Sequence, residues 1–157
     1  MQVSWGHITP PEQLAPTVDE NRLTASLSYT KLFNAADIWA TTLAWGRKYN
    51  SPGNRLDGYL AESELIFKNG NTLFGRAERL QNDELLERGE IVTGFVTPQP
   101  VFTVSKVSAG GIYDFIRTQN MKIGLGALAS RYGMPDALKS EYGDPTSYMI
   151  FARVKIQ

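Results

Sequence analysis

The sequence predicts an all-β fold: an antiparallel up-and-down meander of about eight strands that forms a β-barrel or part of a larger transmembrane barrel. Stretches of alternating apolar and polar residues recur along the 157 residues. The expected connections alternate in length, so that tight turns lie at one end of the meander and long loops at the other. No run of about 18 apolar residues is present, which excludes a transmembrane helix.

The first strands are the most regular. A strand is expected at Gln2–Ile8, followed by a long loop at Thr9–Glu20. Asn21–Leu32 alternates strictly, with Leu, Ala, Leu and Tyr on one face and Thr and Ser on the other. That period of two is typical of a half-buried strand. After a tight turn at Phe33–Ala36, the strand Asp37–Arg47 repeats the pattern.

The clearest hairpin joins Gly58–Lys68 to Thr72–Leu80 through Asn69–Asn71. Asn-Gly usually indicates a two-residue turn, which would place Arg76 and Glu78 on the apolar face. A three-residue turn shifts the register by one and moves both charges to the polar face. Because a charge on a lipid-facing surface costs a few kcal/mol, the three-residue turn is predicted.

Three strands complete the meander. In Val101–Ile116, Gly110 and Gly111 indicate a bulge or bend. Met121–Tyr132 is rich in glycine and alanine, as expected where a barrel curves tightly, and Ser147–Ile156 is the last strand. The remaining connections are expected to be long at Lys48–Asp57, Gln81–Pro100 and Gly133–Asp144 and tight at Arg117–Asn120, with helix only as a short turn in Asn82–Arg88 or Pro135–Glu141.

The composition limits the class of function. Sixteen basic and sixteen acidic residues cancel, so no electrostatic footprint for nucleic acid is present. There is no cysteine, which removes disulfides and thiolate sites. The length predicts one domain, residues 1–157, without an internal boundary. Because Gln2–Ile8 already has a strand pattern and no export signal precedes it, the chain is expected to begin inside a longer protein.

Two sets of side chains are expected to matter in a membrane barrel. Charged residues on the polar face form a ladder that either fills a narrow lumen or biases it against anions. Glu64 and Arg76 are expected to pair directly across the strands. Trp and Tyr at strand ends are expected to form an aromatic girdle at the membrane interfaces. The predicted lumen ladder is Glu62, Glu64, Arg76, Glu78, Arg153 and Lys155, and the predicted girdle is Trp5, Trp39, Trp45, Tyr59 and Tyr148.

Catalysis is not expected. His7 is the only histidine, which excludes a His-rich metal site. It could act only with a serine such as Ser4 or Ser28, and no nucleophile motif accompanies it. The fragment Gly124-Leu-Gly126 lacks the strand–loop–helix context of a nucleotide site. No cofactor or metal is therefore predicted.

Five segments resemble a known group of proteins. They are Val3-Ser-Trp-Gly-His with Pro11-Glu12, Arg22-Leu-Thr-Ala-Ser, Trp39–Arg47, Phe74–Arg79 with Asp83-Glu-Leu, and Asp144-Pro-Thr-Ser-Tyr-Met with Arg153-Val-Lys. Together they resemble the C-terminal portion of uncharacterised outer-membrane (envelope) β-barrel proteins of Gram-negative bacteria, roughly 400 residues long. The resemblance implies a barrel and the envelope but no catalytic residue. The chain departs from the usual barrel pattern at Ile156-Gln157, where assembly signals commonly have a terminal aromatic.

The predicted function is that of an outer-membrane β-barrel, porin-like in passive transport or structural in role. Its expected partners are outer-membrane lipid, the barrel-assembly machinery and small solutes, with no nucleic acid. The alternative is a soluble lipocalin-like barrel that binds an apolar small ligand inside. The two alternatives predict opposite orientations for the apolar side chains, which point into a soluble binder and out of a membrane barrel. These side chains are Leu23, Leu27, Tyr29, Leu43 and Ile150.

Overall fold

The computed structural model describes residues 1–9, 18–34, 36–83, 85, 100–143 and 145–156, without the side chains of 140 and 141. Eight antiparallel strands form one sheet in which every strand pairs with its neighbours in chain order. The predicted all-β up-and-down meander is therefore confirmed. Among the described residues β1 and β8 do not pair with each other, so the sheet has two edges. The strands are β1 Gln2–Ile8, β2 Asp19–Phe33, β3 Asp37–Ser51, β4 Arg55–Ile66, β5 Thr72–Asn82, β6 Phe102–Arg117, β7 Met121–Gly133 and β8 Thr146–Ile156.

The predicted long loop at Lys48–Asp57 is wrong. The β3–β4 ladder continues to the pair Tyr49 and Arg55, which leaves only residues 52–54 as the connection. The guanidinium of Arg55 lies 5.5 Å from the ring centroid of Tyr49, and Arg47 forms an ion pair with Asp57. These contacts between polar residues extend the hairpin beyond its apolar part, where hydrophobic alternation gives no signal.

The β4–β5 turn has three residues, as predicted, but it begins one residue earlier. The N–H of Phe67 donates to the carbonyl of Asn71 at 2.9 Å, so the loop consists of residues 68–70. Gly70 has φ 85°, the left-handed conformation that closes a three-residue hairpin loop. Because the turn begins one residue earlier, each residue of β5 pairs with a residue of β4 that is two positions away from the predicted one. A shift of two positions leaves every side chain on its predicted face. Arg76 therefore lies opposite Glu62, and the predicted Glu64–Arg76 pair is wrong because Glu64 lies opposite Phe74.

The bulge in β6 is not at its glycines. The β5–β6 ladder is continuous through Gly110 and Gly111, and the register of β6 against β7 shifts between Asp114 and Ile116. A Cβ on Gly110 would lie 2.7 Å from the ring of Phe74. This glycine therefore makes room for an aromatic side chain that lies across the neighbouring strand.

The two faces of the sheet differ sharply in burial. We call the face that carries Glu62, Arg76, Ser108 and Ser130 the polar face, and the face that carries Leu43 the apolar face. Every buried residue within a described strand lies on the polar face: Glu20, Leu56, Thr72, Ser108, Asp114, Gly124, Gly126 and Ser130. Large apolar side chains on the opposite face remain exposed.

The sheet curls toward its polar face. Arg153 on β8 contacts the hydroxyl of Thr72 on β5 at 3.4 Å and the carbonyl of Gly70 at 3.1 Å. In a flat sheet, strands three places apart are about 14 Å from each other, more than an arginine side chain spans. The contact therefore requires strong curvature, with the polar face on the concave side.

One helix, α1 Asp136–Tyr142, lies in the β7–β8 connection and overlaps Pro135–Glu141, one of the two segments expected to be helical. Its Leu138 is fully buried, and the hydroxyl of Tyr142 donates to the carbonyl of Leu85 at 2.9 Å. The ammonium of Lys139, 2.8 Å from Asp136, holds the pKa of that carboxyl below its usual value. The other expected helical turn, Asn82–Arg88, lies largely outside the described residues.

Candidate functional site

The predicted ladder occupies the polar face, around a groove of about 690 Å³. Arg76 is its centre: one guanidinium nitrogen lies 2.7 Å from Glu78 and another 3.7 Å from Glu62. Glu64 forms no ion pair with a residue that the structure describes. The groove is also lined by Lys106 and Ser108, which sequence analysis did not single out. The site is thus a surface of mixed charge, on which the carboxylate of Glu64 has no ion-pair partner among the described residues.

Arg153 was predicted to belong to the ladder, but its ion-pair partner is a different carboxylate. Its guanidinium lies 2.8 Å from both carboxylate oxygens of Asp114, whose side chain is 1% exposed. Gly124 lies between them on β7, and a Cβ there would be 2.3 Å from the Asp114 carboxylate. Lys155 lies opposite Lys122, so it too is separate from the ladder.

Asp114 is the functional candidate that sequence analysis missed. A lone carboxylate among apolar residues was a usable signal, because such a group needs a partner when buried. Its partner is 39 residues away in sequence, however, and only the curl of the sheet brings the two together.

A second buried charge cluster lies on the polar face at the long-loop end. Glu20, only 2% exposed, forms ion pairs with Arg22 and with Lys48, the latter at 3.3 Å. Sequence analysis placed Glu20 and Lys48 in loops and therefore missed the cluster. Glu20 and Asp114 are therefore buried near opposite ends of the concave face, with the partly exposed Arg76 cluster between them.

The predicted girdle residues all lie on the apolar face. Trp5, Trp45, Tyr59 and Tyr148 are near the long-loop end, and Trp39 is near the short-turn end. Their exposures reach 70% for Trp5 and 81% for Tyr148. The indole N–H of Trp45 donates to Asp57 at 3.1 Å and that of Trp39 to Ser63 at 2.8 Å. Aromatic rings therefore lie on the apolar face near both ends of the strands, and the indole N–H groups of Trp39 and Trp45 have acceptors.

The apolar face has a defined height. On β2 it is bounded by Asn21 and Lys31, and on β3 by Asp37 and Arg47, ten residues apart in each case. Ten residues span about 33 Å along a strand. A strand tilted by about 40° brings this to roughly 25 Å, the height of the apolar band of outer-membrane barrels. The hydroxyl of Thr41, inside the band, donates to the carbonyl of Glu62 at 2.8 Å and is thereby satisfied.

The candidate catalytic pairs are not assembled. His7 lies on the apolar face, where its ring nitrogens contact Asn21 at 2.9 Å and Thr9 at 2.7 Å. Ser4 and Ser28 lie on the polar face and hydrogen-bond to threonines of the neighbouring strands. The sheet therefore separates this histidine from both serines.

No protein-family model, curated protein or solved structure matches the chain. The resemblance to envelope proteins and the outer-membrane location consequently remain predictions. Within the described ranges, no helix is long and apolar enough to cross a membrane.

Proposed function

We propose that this protein is an outer-membrane β-barrel of a bacterial envelope, in which the polar face lines the lumen and the apolar face contacts lipid. One observation supports the proposal above all others: burial is reversed relative to a water-soluble β-protein. Leu27, Leu43 and Ile150 are 54%, 54% and 82% exposed, whereas Asp114 and Glu20 are nearly inaccessible. In lipid this arrangement is favourable, because the exposed apolar side chains contact hydrocarbon and the charges stay inside.

The curled meander supports the same proposal. Strands can cross a bilayer only when their backbone hydrogen bonds are made within a closed barrel. The two edges, β1 and β8, run antiparallel; β1 begins level with the middle of β2, where Gln2 pairs with Ser26, and β8 ends at the short-turn end, where Ile156 pairs with Met121. These edges either pair with each other or pair with further strands of a wider barrel.

The function that we propose is passive transport of small solutes or a structural role, without catalysis. In a barrel of eight strands, side chains fill the interior. The Arg76 and Arg153 clusters would then act as filling. In a wider barrel the carboxylates left unpaired, such as Glu64, would favour cations over anions.

The facing of the side chains disfavours the soluble alternative. A lipocalin-like binder holds its apolar residues around an internal ligand. Here Leu27, Tyr29, Leu43 and Ile150 lie on the exposed face.

Refolding from urea with and without detergent micelles tests the proposal. We expect strand signal in circular dichroism, and faster migration of the unheated protein on SDS gels, only when detergent is present. The folded protein would then be tested for conductance in planar bilayers. A monodisperse, β-rich protein in plain buffer would overturn the membrane assignment.

A further inference from the structure

A groove of about 720 Å³ crosses the apolar face near the long-loop end. One row of cross-strand neighbours forms its centre, in the order Leu43, Ala61, Ala77 and Val107 from β3 to β6. The two alanines lie between bulkier residues, so the surface is lower along β4 and β5. In the next row toward the short turns, Ser63 lies opposite Gly75, and the indole N–H of Trp39 donates to Ser63, so Trp39 borders the trough on that side. The result is a short apolar trough about two strands wide.

A positively charged side chain, that of Arg79, lies at the long-loop end of this trough. Arg79 lies directly opposite Tyr59 on β4 and Ser105 on β6, and its side chain is exposed. It makes no ion pair with any residue that the structure describes. Asp57, on the same face of β4, does not neutralise it, because Arg47 binds both oxygens of that carboxylate at 2.7 and 2.8 Å.

We propose that this trough binds a membrane lipid with a phosphate head group. One acyl chain lies along Ala61 and Ala77, where it gains van der Waals contact with the walls formed by Leu43 and Val107. The phosphate contacts the guanidinium of Arg79, whose planar donors match phosphate oxygens. The inference rests on the proposed membrane function, since only then does the apolar face meet lipid.

The position also selects the leaflet. Long loops of outer-membrane barrels face the exterior. Arg79 lies in the part of β5 that leads into the long β5–β6 connection. The lipid therefore belongs to the outer leaflet.

Native mass spectrometry of the protein refolded in maltoside micelles tests the site. Dioleoyl phosphatidic acid and dioleoyl phosphatidylcholine are added at equal concentration to the folded protein. We expect phosphatidic acid to bind about tenfold more tightly, because a charge-assisted pair replaces contacts with detergent and water.

Matched variants distinguish the contribution of the Arg79 charge to lipid binding from that of the shape of the trough. Arg79→Gln should abolish the preference, whereas Arg131→Gln, on the same face but outside the groove, should leave it unchanged. Ala77→Phe should weaken both lipids by filling the trough, and Ala129→Phe, also outside it, should not. Equal binding of the two lipids by the wild type, or an unchanged preference in Arg79→Gln, would overturn the lipid site alone. A protein that folds only without detergent would overturn both this site and the membrane function.

Discussion

Arg153 links β8 to β5 and β6 through a single guanidinium. It contacts Asp114, Thr72 and the carbonyl of Gly70, so one side chain connects groups that a flat sheet would hold apart. Gly124 lies beneath the pair and cannot accept a Cβ without a clash. The ion pair and the glycine together permit a tight curvature that backbone hydrogen bonds alone do not specify.

Replacing Arg153 with methionine should destabilise the folded protein by about 3 kcal/mol, because the carboxylate of Asp114 stays buried without a partner. The double variant Arg153→Met/Asp114→Leu should recover most of that loss, since it removes both charges. Urea unfolding in micelles, followed by tryptophan fluorescence, measures the two changes. Equal destabilisation of the single and double variants would show that packing of the arginine, and not its charge, is what matters.

The ion-pair partners of individual residues were only partly predictable from the sequence. The faces of Glu62 and Arg76 follow from alternation, and the structure confirms that they share a face. The partner of Arg76 depended on which residue begins the turn, and the partner of Arg153 depended on curvature. Neither is a property of local sequence.

At the scale of the element, each strand combines an exposed apolar face with a concave polar face. On β3, Leu43 and Ala44 are neighbours in sequence yet point to opposite faces. The same 15-residue strand extends beyond its apolar part through Arg47 and Tyr49, whose side chains form cation–π contacts. Sequence analysis therefore underestimated the length of strands in which polar residues continue the backbone hydrogen bonding.

Leu43→Arg should destabilise the protein in micelles by about 2–4 kcal/mol, because it places a charge on the lipid-facing surface. Ala44→Arg, on the polar face, should cost much less. The fraction that migrates as the folded form on unheated SDS gels, across a urea series, gives both values. If Leu43→Arg is harmless, the apolar face does not contact hydrocarbon.

At the scale of the whole molecule, the open sheet presents two unsatisfied edges. The backbone groups on the outer sides of β1 and β8 lack strand partners among the described residues. In hydrocarbon such groups cost several kcal/mol each, so the edges must be paired when the protein is inserted. In water the same edges favour aggregation.

We expect β1 and β8 to pair within one molecule in micelles. The chain has no cysteine, so nitroxide labels at Val3→Cys and Val154→Cys report cleanly on the two edges. Both positions lie on the apolar face, Val3 level with Ala25 in the middle part of β2 and Val154 near the short-turn end of β8. Pulsed electron paramagnetic resonance should give a distance below about 20 Å, because paired strands are about 4.8 Å apart. A short distance seen only between differently labelled molecules would indicate a barrel built from several chains.

The sequence by itself determined the number of strands, their antiparallel order and which side chains share a face. These properties follow from a period of two and from turn residues, which are local. Tertiary structure alone decided the Glu62–Arg76 and Asp114–Arg153 partners, the long β3–β4 hairpin and the open edges. Each of these depends on register and curvature accumulated over several strands, where contacts between residues far apart in sequence choose among arrangements that alternation leaves equal.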